Sequence, residues 1–258
     1  GLAEKLNGEI INADSMQIFK EFKILSSRPS LNDTQKIRHH LYGFISVKRY
    51  FSAGDWLNEA RKKVDFCLKR KKIPIFVGGT GLYFNTITKG ISKIPNIDLK
   101  TRNKVRSLHT KLGYKKFYNL LIKLDPKIKG KILPTDSQRL QRAFEVKLKT
   151  KKSMLDWFAD TTSDFLDFDI KKIFIDIPRV ELLKKISYRT ELMIEKKCIN
   201  EVRKFNRLKI KKSLSANKLI GVQEINDFLR GSISLDQCKD LINIKTRQYA
   251  KRQNTWAR

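Results

Sequence analysis

A chain of 258 residues, 40% of them hydrophobic, can bury a substantial interior, which excludes a disordered or fibrous protein. Its 56 lysines and arginines stand against 26 acidic residues, and the formal charge of +30 points to a polyanionic partner beyond what a general preference for lysine explains. No long uncharged apolar run and no signal-peptide pattern is present, so the expectation is a cytoplasmic, monomeric protein with a nucleic-acid partner rather than a membrane.

In chain order, residues 9–13, 73–77 and 173–177 read as buried strands of parallel type, each followed by a polar or glycine turn. Between the first two, Trp56, Leu57, Ala60, Val64 and Cys67 or Leu68 recur at helical spacing. That βα alternation predicts a doubly wound α/β sheet with its ligands at the carboxyl ends of the strands, where Asp14, Ser15, Gly78, Gly79 and Thr80 fall. From about residue 95 to 169 the pattern turns basic and helical, punctuated by Gly113, Gly130 and Pro134. Residues 100–152 alone carry 17 Lys and Arg against Asp125, Asp136 and Glu145, a net of +14. The expected organisation is therefore a core of residues 1–94 and 170–258 interrupted by a helical, basic insertion at 95–169. After Pro178 a helix places Leu183, Ile186, Thr190 and Met193 on one face. A last helix runs from about Leu235 through Trp256, apolar at first and then basic at Lys245, Arg247, Lys251 and Arg252.

Several residues carry chemistry. Ile73 through Val77 breaks into Gly78-Gly79-Thr80-Gly81, a turn whose glycines let backbone approach a ligand and whose following helix offers N–H groups to an anion. Asp14 stands after the first strand, as a base, as a metal-seeking carboxylate, or as an ordinary helix cap. Gln138 and Arg142 share a helix face, either as donors to phosphate and base edges or as a solvated surface. Arg189 interrupts an apolar stripe and needs an anionic partner, either a neighbouring carboxylate or a ligand phosphate. His39 and His40 have no Cys or carboxylate at metal-ligand spacing and read as structural, so no protein metal site is expected. Tyr42, Tyr50, Phe51 and Trp56 can stack on a base, though core packing suits most of them. Cys67, Cys198 and Cys238 read as buried free thiols.

Taken together, these segments resemble the bacterial tRNA dimethylallyltransferases. The matching strings are Asn7 to Gln17, His39-His40-Leu41, Phe51-Ser52-Ala53, Pro74 to Tyr83, Asp136 to Arg139 with Arg142 to Val146, and Tyr249 to Gln253 with Thr255-Trp256. The resemblance implies a P-loop-type α/β core with a helical insertion that grips the anticodon stem-loop of tRNA. It implies transfer of a dimethylallyl group from dimethylallyl diphosphate to N6 of adenosine 37, with Mg²⁺ assisting departure of diphosphate. Asp14 matches the family's general base; Thr80 and Arg102 match positions at the tRNA substrate. Asp14, Ser15, Met16 and Gln17, and Gln138, Arg139, Leu140, Gln141 and Arg142, match tRNA-contacting segments. Gly78, Gly79 and Arg189 are the expected diphosphate contacts, with Asp14, Thr80 and Arg189 as the catalytic set.

The sequence also departs from the family pattern. No G-x-x-x-x-G-K-[ST] occurs in it, and the resemblance implies that this loop precedes Gly1, whose neighbours to Leu6 resemble the tail of the loop's helix. A functional molecule that began at Gly1 would lack the loop's lysine and backbone cradle, and would be read instead as a non-catalytic RNA-binding derivative. Val222 and Gln223 stand where an aromatic and a basic residue are usual, and Leu25 where glycine is common. Transfer to a free adenine nucleotide is a third reading, disfavoured by the basic insertion.

Overall fold

The computed structural model of the chain describes residues 1–257. Two compact units emerge: Gly1–Asn85 together with the chain from Asp169 onward, and Thr86–Phe168.

The first unit opens with a single helical turn, α1 (Leu2–Lys5), and then β1 (Gly8–Asn12), the central strand of a three-stranded parallel sheet. A short helix α2 (Leu31–Lys36) leads to the two-residue strand β2 (His39–His40) on one side of β1. On the other side runs β3 (Ile73–Val77), in register from Gly8 opposite Ile73 to Asn12 opposite Val77. Between β2 and β3 lies α3 (Ala53–Lys69), started by a reciprocal capping box of Ser52 and Asp55. The face expected from its spacing is the buried one: Trp56, Leu57, Ala60, Val64 and Cys67.

Two strand expectations need correction. β3 was expected to be buried, but it is an edge strand whose Ile73 and Val77 are exposed; Pro74 suits it there, since proline is tolerated at sheet edges. Residues 173–177 form no strand at all. Ile173, Phe174 and Ile175 are exposed and take no part in the sheet, because β-branched residues make a strand only when a neighbour accepts their backbone hydrogen bonds.

Much of the remaining first unit is helical. After β3 comes α4 (Gly81–Lys89). In the second unit follow α5 (Leu99–Leu124), α6 (Ser137–Thr150) and α7 (Met154–Ala159). The chain returns to the first unit with α8 (Arg179–Glu195), α9 (Cys198–Arg207), α10 (Val222–Leu229) and α11 (Leu235–Ala257).

The larger core of the first unit joins the turn-rich segment after β1 to these last helices. Ile18, Phe19, Phe22, Leu25, Ile45 and Val47 pack with Met193, Val202, Phe205, Ile225 and Ile242. Glu201 on α9 pins that segment. Its carboxylate accepts the backbone N–H groups of Lys23, Ile24 and Leu25, each at 2.9 Å. Backbone donors that no strand satisfies thus find a side chain instead.

The second unit packs α5 against α6 around Val105, Phe117, Leu121, Leu140, Phe144 and Val146. Gly113, with φ +67°, divides α5 into two helical pieces, a backbone state that glycine adopts without a Cβ penalty.

Candidate active site

The carboxyl ends of β1 and β3 are stitched together. The Ala13 N–H donates to the Val77 carbonyl at 2.8 Å, and the Thr80 N–H donates to the Ala13 carbonyl at 3.1 Å. Ser15 N–H donates to Thr80 Oγ1 at 2.9 Å, and that hydroxyl donates to Ser15 Oγ at 3.2 Å. The glycines have a cause inside the chain: a Cβ on Gly78 would run into the Ala13 carbonyl, and one on Gly79 into the Gln253 amide.

Asp14 is half-buried at this seam. Its Oδ1 accepts from Met16 N–H at 2.7 Å and Gln17 N–H at 3.3 Å, while Asn12 Oδ1 accepts from the Asp14 N–H. This is a capping interaction, but the residues that follow form turns rather than a helix. Among the described residues Oδ2 carries no hydrogen bond, which leaves one carboxylate oxygen for other chemistry.

Around Asp14 stand three phenols and a guanidinium. Burial, aided by the Asp14 charge, pushes the Tyr42 hydroxyl up to about 12. The same two causes raise Tyr83 and Tyr249 above the ordinary tyrosine range. Tyr83 stacks on Trp56 with ring centroids 4.0 Å apart, and the Trp56 indole donates to the Asn12 carbonyl. Arg189 retains solvent-accessible surface, yet protein crowds it enough to lower its guanidinium from the ordinary value, with Asp14 acting in the opposite sense. Arg189 is exposed and feels the Asp14 charge without a direct ion pair to it among the described residues, so its guanidinium is open to a ligand anion.

Asp14, Ser15, Thr80 and Arg189 are therefore brought together. Met16 is half-buried against the core, and Gln17 spends its amide on the carbonyls of Ser26 and Ser27, so these two hold the turn. Of the aromatic group, Trp56 is wholly buried, Tyr42 faces Asp14, Phe51 packs edge-on against Phe44, and Tyr50 is exposed. Tyr83 and Tyr249 were not singled out from sequence, because nothing in their spacing reveals that they converge on Asp14.

In the second unit, Asp136 caps α6 by accepting from Arg139 N–H. Gln138 and Arg139 are exposed and Gln141 and Arg142 half-buried. Asp136, Gln138, Arg139 and Arg142 line an open cavity of about 450 Å³ with Met154 and Phe158. Leu140 does not share that surface: its side chain is fully buried in the core of the unit, and the expected tRNA contact through it is corrected to a packing role. Arg102, half-buried, lies with Arg142 and Arg106 near Glu145, whose carboxyl is raised by burial against the pull of those three cations.

The histidines also depart from expectation. Spacing suggested no thiol or carboxylate near them, but β1 and α3 bring Glu9 and Cys67 to His40, all three buried. His40 Nε2 lies 2.6 Å from Glu9 Oε2, and Arg70 approaches Glu9 Oε1 at 3.6 Å. Burial lifts the Cys67 thiol to about 11, with Glu9 adding to it. A protonated thiol amid Arg70, Arg38 and Lys63 makes a hydrogen-bonded knot rather than an inviting cation site.

Comparison with known proteins agrees with this architecture. Residues 17–258 match the family model described as IPP transferase. A tRNA dimethylallyltransferase of Pelagibacter ubique is 54% identical over 257 residues, covering 100% of this chain and 82% of the relative. One from Rickettsia massiliae is 39% identical over 256 residues, covering 99% and 70%. Among solved structures, the full-length tRNA isopentenylpyrophosphate transferase of Bacillus halodurans superposes with a TM-score of 0.68 at 28% identity, over 99% of this chain and 80% of that one. A eukaryotic dimethylallyltransferase acting on tRNA superposes with a TM-score of 0.83 at 27% identity, over 99% and 64%. The small parallel sheet flanked by helices is the P-loop-like fold of these enzymes. The chain belongs to the IPP transferase family.

Proposed function

We propose that this protein transfers a dimethylallyl group from dimethylallyl diphosphate to N6 of adenosine 37, beside the anticodon of a tRNA. The observation that carries the reading is Asp14, half-buried at the carboxyl end of β1, with one oxygen fixed by backbone N–H groups and the other unbonded among the described residues.

The chemistry asks for this arrangement. An exocyclic adenine amine is a weak nucleophile until its proton is accepted. As N6 attacks the allylic carbon, the carbon–oxygen bond to diphosphate breaks and its electron pair leaves with the diphosphate. The N6 proton passes to Asp14 Oδ2. Arg189 and the backbone around Gly78 and Gly79 are assigned to the diphosphate, whose charge grows as it departs. Thr80, with Ser15, orients the adenine against Asp14. The phenols of Tyr42 and Tyr83 shield the cleft from water, which would otherwise intercept the allylic carbon. The Ser15 and Thr80 hydroxyls, 3.2 Å apart, are oxygen donors that would hold Mg²⁺, an oxygen-seeking ion that keeps much of its shell as water and substrate phosphate, and Asp14 Oδ2 stays available for the proton. When bound, Mg²⁺ supplies charge neutralisation to the diphosphate.

Arg102, Gln138, Arg139, Gln141 and Arg142 are assigned to the tRNA, with the basic second unit supplying a salt-sensitive grip on the backbone. The adenine must leave its stack to reach Asp14. Incubating the full-length protein with dimethylallyl diphosphate, Mg²⁺ and unmodified tRNA carrying adenosine beside the anticodon should give prenylated adenosine on nucleoside analysis. Absence of product overturns the reading.

A further inference from the structure

The last helix reaches back to the glycine turn. Tyr249 and Gln253 lie one turn apart on α11, and both donate to a single acceptor, the Gly79 carbonyl, at 3.4 and 3.2 Å. The Tyr249 hydroxyl also interacts with the Thr80 side chain. Trp256, the next residue along that face, fills the space where a Cβ on Gly81 would sit. Three consecutive turn residues, Gly79, Thr80 and Gly81, are thus braced from one helix. On its outer side the Tyr249 ring is covered by the Arg252 guanidinium, 5.8 Å from the ring centroid, which steadies the phenol in place.

What lies beyond the braced turn is the catalytic carboxylate. Thr80 Oγ1 takes the Ser15 N–H, and Ser15 follows directly on Asp14, whose Oδ1 is fixed by the next two amides. Residues 13–17 lie in no helix or strand; backbone bonds hold Ala13 and Gln17 at the two ends, and side-chain bonds hold Asp14 to Met16 between them. The hydrogen-bonded path therefore runs from Tyr249 and Gln253, through Gly79 and Thr80, to Ser15 and Asp14.

We propose that Tyr249 is a positioning residue for prenyl transfer: with Gln253 it anchors the Gly79 carbonyl, and so sets the Thr80 hydroxyl that orients Asp14. This rests on the assignment of Asp14 as the base. Tyr249 acts on the turn and not on tRNA capture, so its hydroxyl influences the chemical step while leaving substrate affinity alone.

Tyr249→Phe keeps the ring and its packing and removes only the hydroxyl. In the full-length protein it should lower the single-turnover rate about tenfold with tRNA Kd unchanged, the result of removing one neutral hydrogen bond from a positioning path. In a Thr80→Ala background, where the path is already cut, Tyr249→Phe should cost less than twofold. Hydrogen exchange reads the brace without activity: the Thr80 amide should exchange several-fold faster in Tyr249→Phe, and faster still with Gln253→Ala added. Equal losses of rate in both backgrounds, or a raised Kd at unchanged rate, overturn the proposal. Unchanged exchange at Thr80 overturns it too, whatever the rates. A wild-type protein that makes no prenylated adenosine overturns the functional reading and the catalytic half of this proposal together, while faster exchange in the variant would still uphold the brace.

Discussion

Two carboxylates five residues apart on and after β1 are used in opposite ways. Glu9 is buried and fully committed, to His40 at 2.6 Å, to the Cys67 thiol and to Arg70. Asp14 commits Oδ1 to two amides and leaves Oδ2 without a partner among the described residues. A satisfied buried charge holds structure and has no capacity left for substrate. The half-satisfied one at the strand's carboxyl end is the proposed proton acceptor. The difference lies in location: Glu9 lies inside the sheet, where neighbouring elements surround its carboxylate, while Asp14 sits where the sheet ends and its carboxylate is bonded only by the amides that follow it.

The comparison is broken most severely by Asp14→Asn, which keeps the capping oxygen but removes the basic one. Single-turnover prenyl transfer should fall about 10³-fold, or about 4 kcal/mol in the barrier, with the melting temperature nearly unchanged. A large loss of stability with normal chemistry would reverse the roles given to the two carboxylates. His40→Ala should do the opposite: about 3 kcal/mol of stability lost in denaturant unfolding, because Glu9 keeps its burial and loses its closest partner, with activity of the folded fraction retained.

The pH dependence sharpens the same contrast. Burial lowers the His40 pKa from its usual value, against the pull of Glu9, and Glu9 itself is held low despite burial by its bond to His40 and by nearby Arg70 and Arg38. Both folded-state values are depressed, so the unfolded chain binds these protons first as pH falls. Stability should therefore be full above about pH 6.5 and decline on acidification, first through His40 and then through Glu9. His40→Asn should flatten the decline between about pH 6.5 and 5 in equilibrium unfolding; an unaltered slope would show that other groups carry it. The smallest effect is expected in the second unit: Arg142→Ala should weaken tRNA binding by about tenfold or less and reduce the slope of log affinity against log salt by about one, with catalysis at saturating tRNA intact.

Legibility in the sequence followed the range of the interactions involved. The strand ending at Asn12, the helix with Trp56 and Val64 on its inner face, and the glycine turn before Tyr83 were all visible, because each is dictated by neighbours a few residues away. Residues 173–177 carried the same local signal as a strand and formed none, since pairing is not a local property. The knot of Glu9, His40 and Cys67 was hidden for the same reason: its members come from β1, β2 and α3, with Cys67 58 positions after Glu9. Asp14 was recognisable as a candidate from its place after a strand. Its ring of Tyr42, Tyr83 and Tyr249 was not, because Tyr249 reaches the glycine turn across 170 residues of chain.

The carboxylate of Glu201 gives the molecule a folding order. The segment around Lys23 to Leu25 has few backbone partners of its own and depends on a side chain 176 residues further on, and on a core completed only by residues as late as Ile242. Such sequence-distant contacts form slowly, since the intervening chain must be closed before they stabilise anything. During synthesis the turn that carries Asp14 therefore emerges early and waits for most of the chain to follow. The geometry of that turn is among the last features of the fold to be set, so the base proposed at Asp14 takes its place only once the first unit's C-terminal helices have been made.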